Sequence, residues 1–164
     1  MRKDIVFLRG GGLGDFILTL PLLKAAYQQG FSVSLYANGI YLSLLDKEWN
    51  WLLKKDLDEL CGKAPPISKG SQVVSFWNDS DWKKEMINAG ASFTTSLNPR
   101  PGDGQLFILQ ALDEIGWSIP ERVLSEPILG NHWKGGDQVL WIHPGSGGVD
   151  KNLPTSYFLS RANQ

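Results

Sequence analysis

The stretch Arg9-Gly10-Gly11-Gly12-Leu13-Gly14-Asp15 restricts the fold more than any other part of the chain. It follows the short apolar run Ile5-Val6-Phe7-Leu8 and precedes a longer one from Phe16 to Tyr27. This order predicts a strand, a glycine turn and a helix. Four glycines in five positions let the backbone turn sharply and approach a bound molecule without Cβ contacts. Ser32-Val33-Ser34-Leu35-Tyr36 then alternates as a second strand, which completes a βαβ unit with parallel strands.

The turn does not match the common phosphate loops. In a G-x-G-x-x-G reading the third glycine falls on Asp15, and Leu35-Tyr36-Ala37-Asn38 offers no acid for a ribose. No Gly-Lys-Ser/Thr follows, so it is not a Walker loop. An aspartate at the helix start repels phosphate, which makes the turn a better mount for a base than a cradle for pyrophosphate. On this stretch alone a plain helix cap is the better account of Asp15, since aspartate is a preferred N-cap and favours the positive dipole end.

Further along, helical turns are expected around Tyr41 to Leu45 and from Trp51 to Leu60. Strands are expected at Gln72 to Trp77 and Ala91 to Ser96, and helices at Trp82 to Ala89 and Gly104 to Trp117. In the last helix Leu106, Ile108, Leu109, Leu112 and Ile115 are expected on the buried side. Pro21 predicts either a kink or a second helix start capped by Thr19. The alternation implies an α/β fold, a Rossmann-like parallel sheet with helices on both faces. Most of the tryptophans are expected to pack in the core, with an exposed contact patch at Trp49 and Trp51 as the alternative for that pair, and Cys61 is expected to be a small buried hydrophobe.

Composition limits the partners. A formal net charge of -1 provides no basic field for a nucleic-acid backbone, so no nucleic-acid partner is expected. One cysteine makes no disulfide and no metal cluster, which suits a reducing cytoplasm. No apolar stretch is long enough to span a membrane. Asp79-Ser80-Asp81 has the form of an Asp-x-Asp metal motif, but acids at a helix start ahead of Lys83 and Lys84 are explained by capping. His132 and His143 are too few for a metal site.

A second strand, Val139-Leu140-Trp141-Ile142, runs into His143-Pro144-Gly145-Ser146-Gly147-Gly148, with Lys151 close behind and Pro154 suited to a helix start. This turn carries bare N–H groups and a lysine, and it is equally readable as an anion cradle or a flexible connector. Arg9-x-x-x-Leu13-Gly14-Asp15-x-Ile17-Leu18-Thr19-x-Pro21-Leu22-Leu23 is thus followed by Ile142-His143-Pro144-Gly145-Ser146-Gly147 and Lys151-x-x-Pro154-x-x-x-Phe158. In that order the motifs resemble glycosyltransferase family 9, the lipopolysaccharide heptosyltransferases.

The resemblance implies the N-terminal half of a GT-B enzyme. Residues 1–117 would form the acceptor-side domain, 118–136 a connector, and 137–164 the start of the donor-nucleotide domain. It implies inverting transfer of heptose from an ADP-heptose-like donor to a glycolipid acceptor of the lipopolysaccharide core, with neither cofactor nor metal. Asp15 would be the base, Arg9, Gly12 and Gly14 would lie on the acceptor side, and Gly145, Ser146, Gly147 and Lys151 would hold the donor phosphates. Leu153 stands where the family usually has tryptophan, and the family's later donor-side acids have no counterpart before Gln164. The expectation is therefore a chain inactive in isolation, cytoplasmic and peripheral at the inner membrane face, in which Val139–Ile142 either adds to the edge of the first sheet or pairs with a second copy to make a homodimer through 137–164. The alternative is a non-catalytic relative that binds an anion or a partner chain. A flavodoxin-like nucleotide-binding domain is disfavoured by Asp15.

Overall fold

The computed structural model describes residues 2–100, 102 and 105–118, all within the first of the two units, Met1–Asn131 and His132–Gln164, into which the chain divides. Gly145, Ser146, Gly147, Lys151 and the strand expected at Val139–Ile142 lie outside the described residues.

Five parallel strands form one sheet: β1 (Asp4–Leu8), β2 (Ser32–Ala37), β3 (Leu53–Asp56), β4 (Gln72–Ser75) and β5 (Phe93–Ser96), in the order β3-β2-β1-β4-β5. The central strand β1 is apolar on both sides because both of its faces are covered. Ile5 and Phe7 pack with α1 (Leu13–Gln28) and α4 (Phe107–Ile115). Val6 and Leu8 pack with Met86 of α3 (Ser80–Asn88). Helices thus cover both faces, as the alternation predicts.

Helix α1 is buried on most sides, with Phe16, Leu20, Leu22, Leu23, Ala25 and Ala26 all in the core. It runs unbroken through Pro21, so no second start exists there. The Thr19 hydroxyl donates to the Asp15 carbonyl at 2.9 Å instead of capping a new helix. An interior proline costs about 3 kcal/mol of helix propensity. Burial of the surrounding leucines offsets that cost. Gly30, at φ +86°, closes the helix, where its N–H bonds the Tyr27 carbonyl and that of Phe31 bonds Ala26.

The segment Trp51–Leu60 corrects the helical expectation. Leu53–Asp56 is an edge strand followed by a 3-10 turn, Leu57–Leu60, while Tyr41–Leu45 holds only the end of a short helix α2 (Gly39–Leu42). Its leucines and lysines suit a helix, but the open edge of β2 needs partners for its N–H and C=O groups. Lys54 and Lys55 then protect the outer edge. Trp49 is buried at 1% exposure and only Trp51 reaches the surface, so the two form no exposed patch. Cys61 is exposed, because it ends the 3-10 turn at φ +49° in a surface bend. In α4 the buried positions are Phe107, Ala111 and Leu112, whereas Leu106 and Leu109 face outward. The helix starts later than expected, and Phe107 turns its stripe toward Phe76.

Candidate functional site

In open α/β sheets, ligands gather at the carboxyl ends of the strands where the crossovers change sides. Here that point lies between β1 and β4, because α1 covers one face and α3 the other. The glycine turn after β1 is therefore where the fold itself would put a site.

Gly11 takes φ +99°, and a Cβ there would stand 2.5 Å from Asp15 Oδ2. Gly12 is the N-cap of α1 in extended conformation, and Asp15 is the third residue of the helix. The Gly12 N–H donates to Asp15 Oδ2 at 3.0 Å, so Asp15 is not the N-cap residue but caps the helix start by reaching back to it from the third position. The other oxygen, Oδ1, accepts from the Arg9 guanidinium at 2.8 Å. Arg9 Nε donates to the Asp15 carbonyl at 3.1 Å. Two oxygens on two donors fix the carboxylate in one orientation. With about four lone-pair sites in total, the carboxylate still has acceptor capacity, and its side chain is 42% exposed.

Arg9 is placed very differently, with only 3% of its side chain exposed. Its guanidinium carbon lies 4.0 Å from the centre of the Phe76 ring and 5.8 Å from that of Phe107. Burial pulls its pKa below the ordinary guanidinium value and the Asp15 charge pushes it back up. The arginine therefore ties β1, α1, β4 and α4 together beneath the carboxylate. The motif resemblance implies a place for it beside the acceptor cleft, and burial under aromatic rings is the finding.

Phe76 also lines a cleft of about 500 Å³ at the carboxyl ends of β4 and β5, with Asn78, Lys83, Ser96, Asn98 and Glu114. Lys83 Nζ donates to Asn78 Oδ1 at 2.9 Å, and the Asn98 N–H donates to Glu114 at 3.0 Å. Apart from Lys83, which the sequence offers only as a charge behind the acidic motif, these polar groups were not singled out from sequence. The only signal for them is that Asn78 and Asn98 each follow a strand by a few residues. A separate cavity of about 370 Å³ lies at the amino ends of the strands, around Asp4, Ser32 and Tyr27, where the strand-end rule places no ligand.

Arg9, Gly12, Gly14 and Asp15 are brought together, while Gly145, Ser146, Gly147 and Lys151 fall outside the described residues. Asp79 is the N-cap of α3, accepting from the N–H groups of Asp81 and Trp82, and Asp81 pairs with Lys84 at 3.0 Å. The capping explanation of this acidic motif holds. Among the described residues no helix is long and apolar enough to cross a membrane.

No family model and no curated protein matches the chain. Among solved structures it is similar to the E. coli heptosyltransferase WaaC with ADP, at a TM-score of 0.49 and 11% identity, over 72% of this chain and 48% of that one. It is also similar to a glycosyl transferase family 9 protein from Veillonella parvula, at 0.45 and 16%, over 71% and 42%. A third is a PPC decarboxylase mutant complexed with pantothenoylaminoethenethiol, at 0.33 and 12%, over 72% and 81%. The chain spans about half the length of the first and somewhat less of the second.

Proposed function

We propose that residues 1–117 are the acceptor-side domain of a glycosyltransferase-like protein, with Asp15 as the base. The observation that carries this reading is the Asp15 carboxylate, held by Gly12 and Arg9 and open to solvent at the carboxyl edge of β1. In the reaction, the acceptor hydroxyl gives its proton to Asp15 while its oxygen attacks the anomeric carbon. The bond from that carbon to the nucleoside diphosphate breaks, and the configuration inverts. A Cβ on Gly12 would lie 4.0 Å from Asp15 Oδ2, so glycine there keeps that side of the carboxylate clear of a side chain, and a Cβ on Gly14 would meet nothing within 4 Å. Arg9 acts as a positioning residue for the carboxylate.

The finer assignments extend the motif resemblance. The donor is an ADP-heptose-like sugar nucleotide held by Gly145, Ser146, Gly147 and Lys151. The acceptor is a glycolipid of the lipopolysaccharide core, which requires a cytoplasmic enzyme working at a membrane surface. The domain starting near 137 carries the donor side, with 118–136 as connector.

A second reading is favoured by one observation: both oxygens of Asp15 already have donors within the chain, which suffices for a structural cap. Amide NMR of the chain titrated with deacylated lipopolysaccharide core oligosaccharide tests the acceptor assignment. The acceptor reading predicts shifts at Gly10–Gly14 and Phe76–Asn78. Absence of any shift, or shifts confined to the amino edge at Asp4 and Ser32, would overturn it.

A further inference from the structure

On the sheet face opposite α1, a cavity of about 290 Å³ is lined by Leu57, Leu60, Cys61, Trp77 and Trp82, with Asp58 and Lys63 also on its wall. Leu57 follows β3 and Trp77 follows β4, yet the two meet across the glycine turn. A Cβ on Gly10 would lie 3.8 Å from Leu57 and 3.9 Å from Trp77. The next residue, Gly11, is the one that abuts the Asp15 carboxylate. Consecutive Cα atoms are about 3.8 Å apart, so the aromatic cavity and the candidate base border adjacent residues of one turn.

The two tryptophans meet edge to face, with centroids 5.1 Å apart and planes at 78°. They form a corner, unlike the parallel slot that would clamp a flat nucleobase. An aromatic face carries the negative side of its quadrupole and attracts partly positive C–H groups. Beside the rings are one carboxylate, which accepts from hydroxyls, and one ammonium, which donates to them. A pyranose ring combines an apolar C–H face with a rim of hydroxyls, and a cavity near the small end of the ligand-pocket range suits one such ring.

We infer that the Trp77–Trp82 corner is a second saccharide subsite, holding the acceptor ring next to the one whose hydroxyl meets Asp15. This rests on the acceptor assignment above and extends it to the other side of the glycine turn. It makes the acceptor at least a disaccharide, bridging Gly10 and Gly11.

The chain's single cysteine supplies the test, because Cys61 lies on the wall of this cavity and is exposed. The rate of Cys61 alkylation by iodoacetamide is measured on the full chain with and without deacylated lipopolysaccharide core oligosaccharide, and separately with adenosine. The expected result is alkylation slowed about fivefold or more by saturating oligosaccharide and unchanged by adenosine. Trp82→Leu should weaken the binding behind that protection about tenfold, equivalent to ~1.4 kcal/mol, and Trp82→Phe should retain most of it. Unchanged alkylation while the Gly10–Gly14 amides shift would overturn the subsite and leave the acceptor assignment standing. Unchanged alkylation with no amide shifts would overturn both, and protection by adenosine alone would make the corner a base site. The protection measurement uses wild-type protein, so it stands even if a tryptophan variant fails to fold.

Discussion

Removing either partner of the Arg9–Asp15 pair should have unequal consequences, because one partner is buried and the other half-exposed. In Asp15→Ala the guanidinium stays buried without its anion and keeps the backbone carbonyl of residue 15 and the Phe76 and Phe107 rings. Stranding a fully buried charge costs about 3–5 kcal/mol. The pair is open to solvent on the Asp15 side, which reduces that figure, whereas loss of the bond to the Gly12 N–H adds about 1 kcal/mol. A net cost of about 2–3 kcal/mol is expected. In Arg9→Met the apolar side chain fills much of the space against Phe76 and Phe107, and water takes over the exposed carboxylate. That variant should lose only about 1 kcal/mol. The double variant should be no less stable than Asp15→Ala, giving a coupling of about 1 kcal/mol or more. Urea unfolding followed by circular dichroism measures this. With a slope near 2 kcal/mol per molar urea, Asp15→Ala should lower the midpoint by about 1 M and Arg9→Met by about half that. Additive losses, or a larger loss in Arg9→Met, would show that the arginine does not depend on Asp15 in the way the geometry requires.

The glycines of the turn should separate by backbone conformation. Gly11→Ala, at positive φ and against the carboxylate, should cost about 1–2 kcal/mol. Gly14→Ala, helical and meeting nothing, should gain about 0.5–1 kcal/mol, so a loss of oligosaccharide binding in that variant would report close substrate approach in a protein that is still well folded. Burial, with Glu59 adding, raises the Tyr36 phenol above its usual value of 10.0. Its contribution to stability is therefore full below about pH 10 and is lost as pH rises through the folded-state value, so melting curves above pH 10 should fall less steeply in Tyr36→Phe. Trp49 buries its indole N–H without a partner among the described residues. Trp49→Phe should therefore cost less than an ordinary loss of buried ring volume, about 1–2 kcal/mol by denaturant titration, because the unpaired donor goes with it.

The β1–turn–α1 unit was legible in the sequence because Ile5–Leu8, the glycines and Phe16–Tyr27 each carry their own local signal. The same is true of Asp79, whose cap bonds are made within three residues. Leu53–Asp56 was not legible, because its strand state comes from the edge of β2 and not from its own side chains. Asp15 could be singled out as cap or base, but its ion pair could not. Arg9 is buried only because Phe76 and Phe107 arrive from distant segments to stack on it, and nothing near Arg9 in sequence announces them. One consequence is specific: Asp15→Asn, which preserves a simple cap, now carries an expected stability loss of about 1–2 kcal/mol from the weakened bond to a buried cation.

The role proposed for that carboxylate is tested most directly by turnover in a chimera that joins this chain to the donor domain of a heptosyltransferase. The rate of heptose transfer would be compared between wild type and Asp15→Asn, at a temperature where circular dichroism shows both fully folded. A positioned base is worth roughly 10²–10⁴-fold, and a fall of that size is the predicted result. Wild-type turnover in the folded Asn variant would contradict it, leaving Asp15 as the cap of α1 and the anion that Arg9 requires.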